Sequence, residues 1–149
     1  MSNYRNVLVA IDLNPDNQPV IDKAVEICEM NSASLHVIHV VEPLSYGYSD
    51  GMMSWSDGLI SVEAAIREDA RKKLSEMGAR CNVDDDRLYF RTGRASSEIH
   101  DVVDEMGIDL IVIGTHGQAG LQLLLGSTAN SVLHGSICDV LAVRIKGNP

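Results

Sequence analysis

At 149 residues the chain can bury the core of one domain but is too short for a nucleotide-binding domain joined to a separate catalytic one. A formal charge of −9 and an aromatic content of 4% exclude a general DNA- or RNA-binding surface, which needs clustered cations. The 3 cysteines, Cys28, Cys81 and Cys138, form no C-x-x-C pair, so neither a disulfide framework nor a zinc ribbon is expected.

The N-terminus has only a brief apolar stretch that soon meets Asp12, which predicts a cytoplasmic protein without signal peptide or membrane span. Residues 5–12, R-N-V-L-V-A-I-D, predict a mostly buried strand ending in a carboxylate. Asn14-Pro15 then predicts a helix start, with Asn as cap and Pro in the first turn. Ile21, Ala24, Val25 and Cys28 recur at helical spacing and give that helix a face for a sheet. A second strand is predicted over 34–41.

Residues 42–58 are too rich in Gly, Ser and aromatics for a regular element and predict a long loop, with Tyr46, Tyr48, Trp55, Met52 and Met53 available to a ligand or a partner. A helix is predicted over 59–77, with Val62, Ile66, Ala70, Leu74 and Met77 along one side. A short strand follows at 87–91, ended by Gly93, and Ser96 or Ser97 is expected to cap a helix that buries Ile99, Val102, Val103 and Met106. The continuous apolar run 109–114 predicts a strand, the next helix offers Leu124, Leu125, Thr128, Val132 and Leu133, and 140–145 predicts the last strand.

Five strands separated by helices predict a single α/β domain over 1–149 with a parallel sheet, because each connection is long enough to cross over. Ligands of such sheets sit outside the C-terminal ends of the strands. That edge is expected to collect Asp12, the residues after Val40, Gly93 and the loop at Gly114. Packing is the expected role of Cys28 and Cys138, whereas Cys81 falls in a polar connection where it can be exposed.

Gly114 and Gly117 bracket Thr115 and His116, and Gly126-Ser127-Thr128 follows further on. The first pair allows a tight turn and close backbone approach, and the second group adds two hydroxyls able to donate to phosphate oxygens. The alternative is that these glycines serve only as turns and caps. The pattern is neither a P-loop nor an early G-x-G-x-x-G, and without a loop lysine it disfavours a fast P-loop hydrolase. Asp12 can accept from ribose hydroxyls or join a Mg²⁺ shell, or it can cap the Asn14-Pro15 turn. Val40 offers its backbone to an adenine edge, while its side chain reads as core. His36 and His39 lie on opposite faces of one strand, which argues against a shared metal, and structural roles are expected of both. His116 either contacts phosphate or faces solvent; His100 and His134 are helical and expected near surfaces, and no catalytic triad can be assembled.

The segments V-L-V-A-I-D at 7–12, L-H-V-I-H-V-V at 35–41, R-T-G-R at 91–94, D-L-I-V-I-G-T-H-G at 109–117, and G-S-T-A-N-S-V-L-H with C-D-V-L-A-V-R beyond it together resemble the universal stress protein family over nearly the whole chain. The resemblance implies a Rossmann-like five-stranded parallel sheet in the order 3-2-1-4-5 and a homodimer through the C-terminal strand. It further implies an adenine nucleotide, ATP or AMP, with or without Mg²⁺. Asp12 would then stand on the ribose side, Val40 at the adenine, and Gly114, Gly117, Gly126, Ser127 and Thr128 around the phosphates. The spacer between the two glycine groups, Q-A-G-L-Q-L-L-L, is one residue shorter than the family pattern. The leading expectation is a regulatory nucleotide-binding protein of the stress response without efficient catalysis. The competing ones are a nucleotide-independent dimer that recognises a protein or protective target through 42–58, and a slow ATPase or autokinase. Neither nucleic acid nor membrane is expected as a partner.

Overall fold

The computed structural model describes residues 3–13, 15–43, 57–115 and 127–145. Val7, Leu8 and Val9 have no exposed surface, although consecutive side chains on a strand point to opposite faces. Such a strand has to lie inside a sheet covered on both sides. Accordingly β1 (Asn6–Ala10) pairs in parallel with β2 (Ser34–Val41) on one side and β4 (Leu110–Thr115) on the other. β3 (Leu88–Thr92) lies outside β2 and β5 (Asp139–Arg144) outside β4, all parallel, which gives the expected order β3-β2-β1-β4-β5.

Helices α1 (Gln18–Asn31) and α2 (Asp57–Arg80) cover one face, where Val20, Ile21, Leu74 and Met77 pack on Val7, Val9 and Val112. Helices α3 (Ala95–Met106) and α4 (Ser127–His134) cover the other, where Ile99, Val102 and Val132 pack on Leu8, Ile38 and Ile111. The result is a three-layer α/β domain. At about 1.5–3 kcal/mol for each fully buried large aliphatic side chain, these two clusters are the principal favourable term.

Several boundaries differ from the sequence expectation for identifiable reasons. β1 stops at Ala10, so Asp12 lies beyond it rather than at its last position. A 3₁₀ turn over Pro15–Asn17 delays α1 to Gln18; the cap residue is Asn17, whose side chain makes no cap bond, and Asn14 lies outside the described residues. Only Ala70, Leu74 and Met77 of the α2 stripe are buried, whereas Val62 and Ile66 are 50% and 45% exposed. Neither Ser96 nor Ser97 caps α3: the cap residue is Arg94, and the Ala95 amide instead donates to the Glu42 carboxylate. Met106 is exposed, since it ends α3 where Gly107 turns the chain into its left-handed conformation. In α4 the buried residues are Ala129 and Val132, while Thr128 and Leu133 face solvent and Leu124 and Leu125 lie outside the described residues.

Two histidines are tied into the sheet from opposite faces. His36 is buried, with Nδ1 2.9 Å from the Tyr89 hydroxyl and Nε2 3.3 Å from Asn6 Oδ1. His39 donates from Nδ1 to the Ile11 carbonyl at 2.8 Å. His100 joins the helical layer by donating from Nε2 to the Val132 carbonyl at 2.9 Å. Desolvation pushes the Cys28 thiol up to about 11 and also raises Cys81 and Cys138. Cys81 is half-buried rather than exposed, because it packs against the α1–α2 layer.

Burial lowers the His36 pKa from its ordinary value of 6.5; nearby Arg87 adds to the shift and Asp86 opposes it. The folded state therefore holds this ring neutral while the unfolded chain takes up a proton first. Stability is expected to be complete above about pH 6.5 and to fall as the pH drops from there towards the lower folded pKa. Urea midpoints between pH 7 and 5 should decline, and His36→Gln should flatten the decline; an equal slope in the variant would assign the acid sensitivity elsewhere.

Candidate functional site

After β1 the chain turns to α1 on one face of the sheet, and after β4 it leads to α4 on the other. Divergence of neighbouring connections opens a crevice outside the strand ends. Here it is a cleft of about 350 Å³, within the range of small-ligand sites. Its floor includes Ile38 and Ile113, and its rim is formed by Asp12, Glu42, Ala95 and Thr128.

Asp12 reaches the rim because the chain leaves the sheet sharply. Leu13 takes a left-handed conformation at φ 66°, and the buried Asn17 donates from Nδ2 to Asp12 Oδ1. A leucine held there costs on the order of 1–2 kcal/mol, which the surrounding turn must over-determine. Asp12 thus anchors the turn and at the same time lines the cleft.

Val40 enters through its peptide. Ile11 N donates to Ile38 O at 3.1 Å on the β1 side, and Gly93 N donates to Val41 O at 3.0 Å on the β3 side. Alternation along the strand therefore turns the Val40 N–H and C=O towards β1, past the last β1–β2 partners Ala10 and Ile38. The Ile11 carbonyl, which a longer β1 would offer to the next β2 amide, takes the His39 imidazole instead. On the other side of β2, Gly93 makes the turn into α3 at φ 149°, a conformation that favours glycine.

Gly114 departs from expectation. It does not form a turn but remains in β4, paired with Val143, and Thr115 is the last strand residue. A Cβ on Gly114 would stand 2.5 Å from Ile145 Cδ1 and 2.9 Å from Val20 Cγ2, so its missing side chain admits packing atoms. Thr128 lies in the first turn of α4 and lines the cleft. Ser127 opens that helix, whereas His116, Gly117 and Gly126 lie outside the described residues.

The charged side chains on the described lining are carboxylates, Asp12 and Glu42. The N-termini of α3 and α4 also open here and bring positive dipole ends. They are not equivalent, because Glu42 Oε1 already accepts from the Ala95 amide at 3.3 Å. Among the described residues no group of three or more His, Cys, Asp and Glu is placed to hold a metal. Likewise, among them no helix is long and apolar enough to cross a membrane. Sequence reasoning missed Asn17 and Ile145, which carry no motif; Glu42 had a signal, as the first polar residue after the apolar run of β2.

The universal stress protein family model matches residues 3–144. The chain is 43% identical to universal stress protein A homolog 2 of Coxiella burnetii, covering 99% of this chain and 100% of the relative. Its similarity to homolog 1 of that organism is 42%, over 96% and 98% of the two chains. Among solved structures, the universal stress protein UspA of Lactobacillus plantarum superposes with a TM-score of 0.72 at 26% identity, over 97% of this chain and 100% of that one. A universal stress protein solved in complex with cAMP has the same fold, with a TM-score of 0.66 at 21% identity over 97% and 100% of the chains.

Gly114→Val is expected to lower unfolding free energy by about 1–3 kcal/mol through overpacking against Ile145 and Val20. Chemical denaturation reads this directly, and unchanged stability would mean that Ile145 moves aside freely.

Proposed function

The chain belongs to the universal stress protein family, and from that premise we propose that it is a cytoplasmic stress-response protein whose cleft binds an adenine nucleotide, ATP or AMP, as a regulatory ligand. The observation that carries this reading is the Val40 peptide, turned beyond the end of β1 into a cleft of about 350 Å³ that Asp12 also lines. One N–H and one C=O side by side match the acceptor and donor on the Watson–Crick edge of adenine. Asp12 can then accept from ribose hydroxyls, as carboxylates do in dinucleotide folds. Phosphates would extend towards α4, with Gly114 beside the strand end and His116, Gly117, Gly126, Ser127 and Thr128 as the proposed cradle.

The protein solved with cAMP supports an adenine ligand for this fold. Occupancy rather than turnover is the proposed signal. Residues 114–128 contain no lysine or arginine, so the loop lacks the cation that P-loop hydrolases bring to the transferring phosphate. A bound Mg²⁺ would supply charge neutralisation to a triphosphate; Asp12 would join its shell only in place of the ribose contact.

Native mass spectrometry of freshly purified protein, followed by chromatography of the released molecule, should find an adenine nucleotide. Asp12→Ala should weaken its binding about tenfold, as expected for loss of a charged hydrogen-bond acceptor. A protein that is empty and takes up neither Mg-ATP nor AMP would overturn the reading in favour of a nucleotide-independent interaction module.

We further propose a homodimer through β5. Among the described residues that strand pairs with β4 alone, and Ile137, just before it, is 74% exposed. An open edge beside apolar surface invites a symmetric partner. Ala142→Asp, at an exposed position of β5, is expected to shift the protein towards monomer in sedimentation; an unchanged dimer mass would reject this interface.

A further inference from the structure

We infer that Glu42 reinforces the base preference begun by the Val40 peptide, its carboxylate accepting from the second proton of the 6-amino group of a bound purine. The inference rests on the nucleotide reading above and specifies what that site selects. Val40 packs against the cluster on the α3 face, and Glu42, the first residue past β2, reaches the same face through its bond to the Ala95 amide. Both residues line the same cleft. The peptide that would read the base and the carboxylate that would judge its substituent are therefore neighbours.

The local bonding fixes what Glu42 offers. Its Oε1 accepts from Ala95 N at 3.3 Å and so takes the place of a helix cap, since the Arg94 side chain supplies none. A carboxylate has about four lone-pair sites, and only one of them is used in that bond. What remains is an acceptor without a donor. It matches an exocyclic amino group and opposes a keto oxygen at the same position, where two acceptors would meet.

The same bond also orients the ligand. With Glu42 on the Ala95 amide, the α3 end of the cleft carries negative charge and disfavours phosphate. The α4 end, lined by Thr128, carries no carboxylate among the described residues. The base is accordingly placed beside β2 and α3 and the phosphate beside α4.

Glu42 could alternatively do no more than support α3, and Glu42→Gln separates the two roles. The amide oxygen of glutamine can keep the Ala95 bond, while its nitrogen replaces an acceptor with a donor. Calorimetric titration of AMP and IMP into both proteins gives the preference as a ratio of affinities. The wild type should favour AMP, and the variant should reduce that preference about tenfold, with its melting temperature retained. An unchanged ratio overturns the proposal, as does equal loss of both nucleotides with a falling melting temperature, which would mark Glu42 as helix support alone. A wild type that binds neither nucleotide overturns the parent reading as well, and that result is visible before the variant is made.

Discussion

The short central strand is the constraint on which the site depends. β1 is held on both sides, yet its partners end at Ala10, opposite Ile38 and Ile113, while β2 continues to Val41 and β4 to Thr115. The overhang of the two neighbours forms the walls of the cleft. Further pairing is closed off by local chemistry. His39 takes the Ile11 carbonyl, Leu13 turns the chain into its left-handed conformation, and Asn17 holds Asp12. A β1 extended by two ordinary residues would fill the notch with ladder hydrogen bonds and leave the Val40 peptide nothing to offer a ligand.

The opposite end of the sheet is built the other way. Asp109 accepts from the amides of Arg5 and Asn6 at 2.8 and 3.1 Å, and its own amide donates to the Asn6 carbonyl at 3.0 Å. Ser34 N donates to Arg5 O at 2.8 Å, so β1 is fastened to both neighbours at its start. Polar groups at that edge pair across the strands, whereas at the other edge Asp12 and Glu42 line the cleft. Between the two edges, the apolar clusters on either face set the register, because a slip of one residue would move every side chain of β1 from one cluster to the other.

Legibility from sequence followed the strength of the local signal. Apolar runs such as 7–11 and 110–113 announce buried parallel strands, and the alternation with helices gives the architecture. The sheet edge that carries Asp12, Val40 and Gly114 was legible for the same reason, since strand order places those ends together. Caps were not. The cap of α3 comes from Glu42, a residue 53 positions away from Ala95, and no window of local sequence contains that pairing. The stripe along α2 was legible, but not which of its members are buried, since Val62 and Ile66 continue it and are exposed. Gly114 was recognised as important for a reason that applies to turns, whereas its neighbours Val20 and Ile145 give a packing reason that only the tertiary structure supplies.

At a net charge of −9, affinity for the proposed anionic ligand has to come from elsewhere than the overall field. The proposed cleft fits that requirement, for its described lining is mainly apolar and peptide, with Asp12 and Glu42 as its charged side chains. Each of these carboxylates suits a donor of the nucleoside, a ribose hydroxyl or a base amino group, and neither suits a phosphate. Binding energy would then be concentrated on the nucleoside, with phosphate held by backbone amides and hydroxyls near α4. Such a division would make the number of phosphates a modulator of affinity rather than its source, which suits the proposed regulatory role.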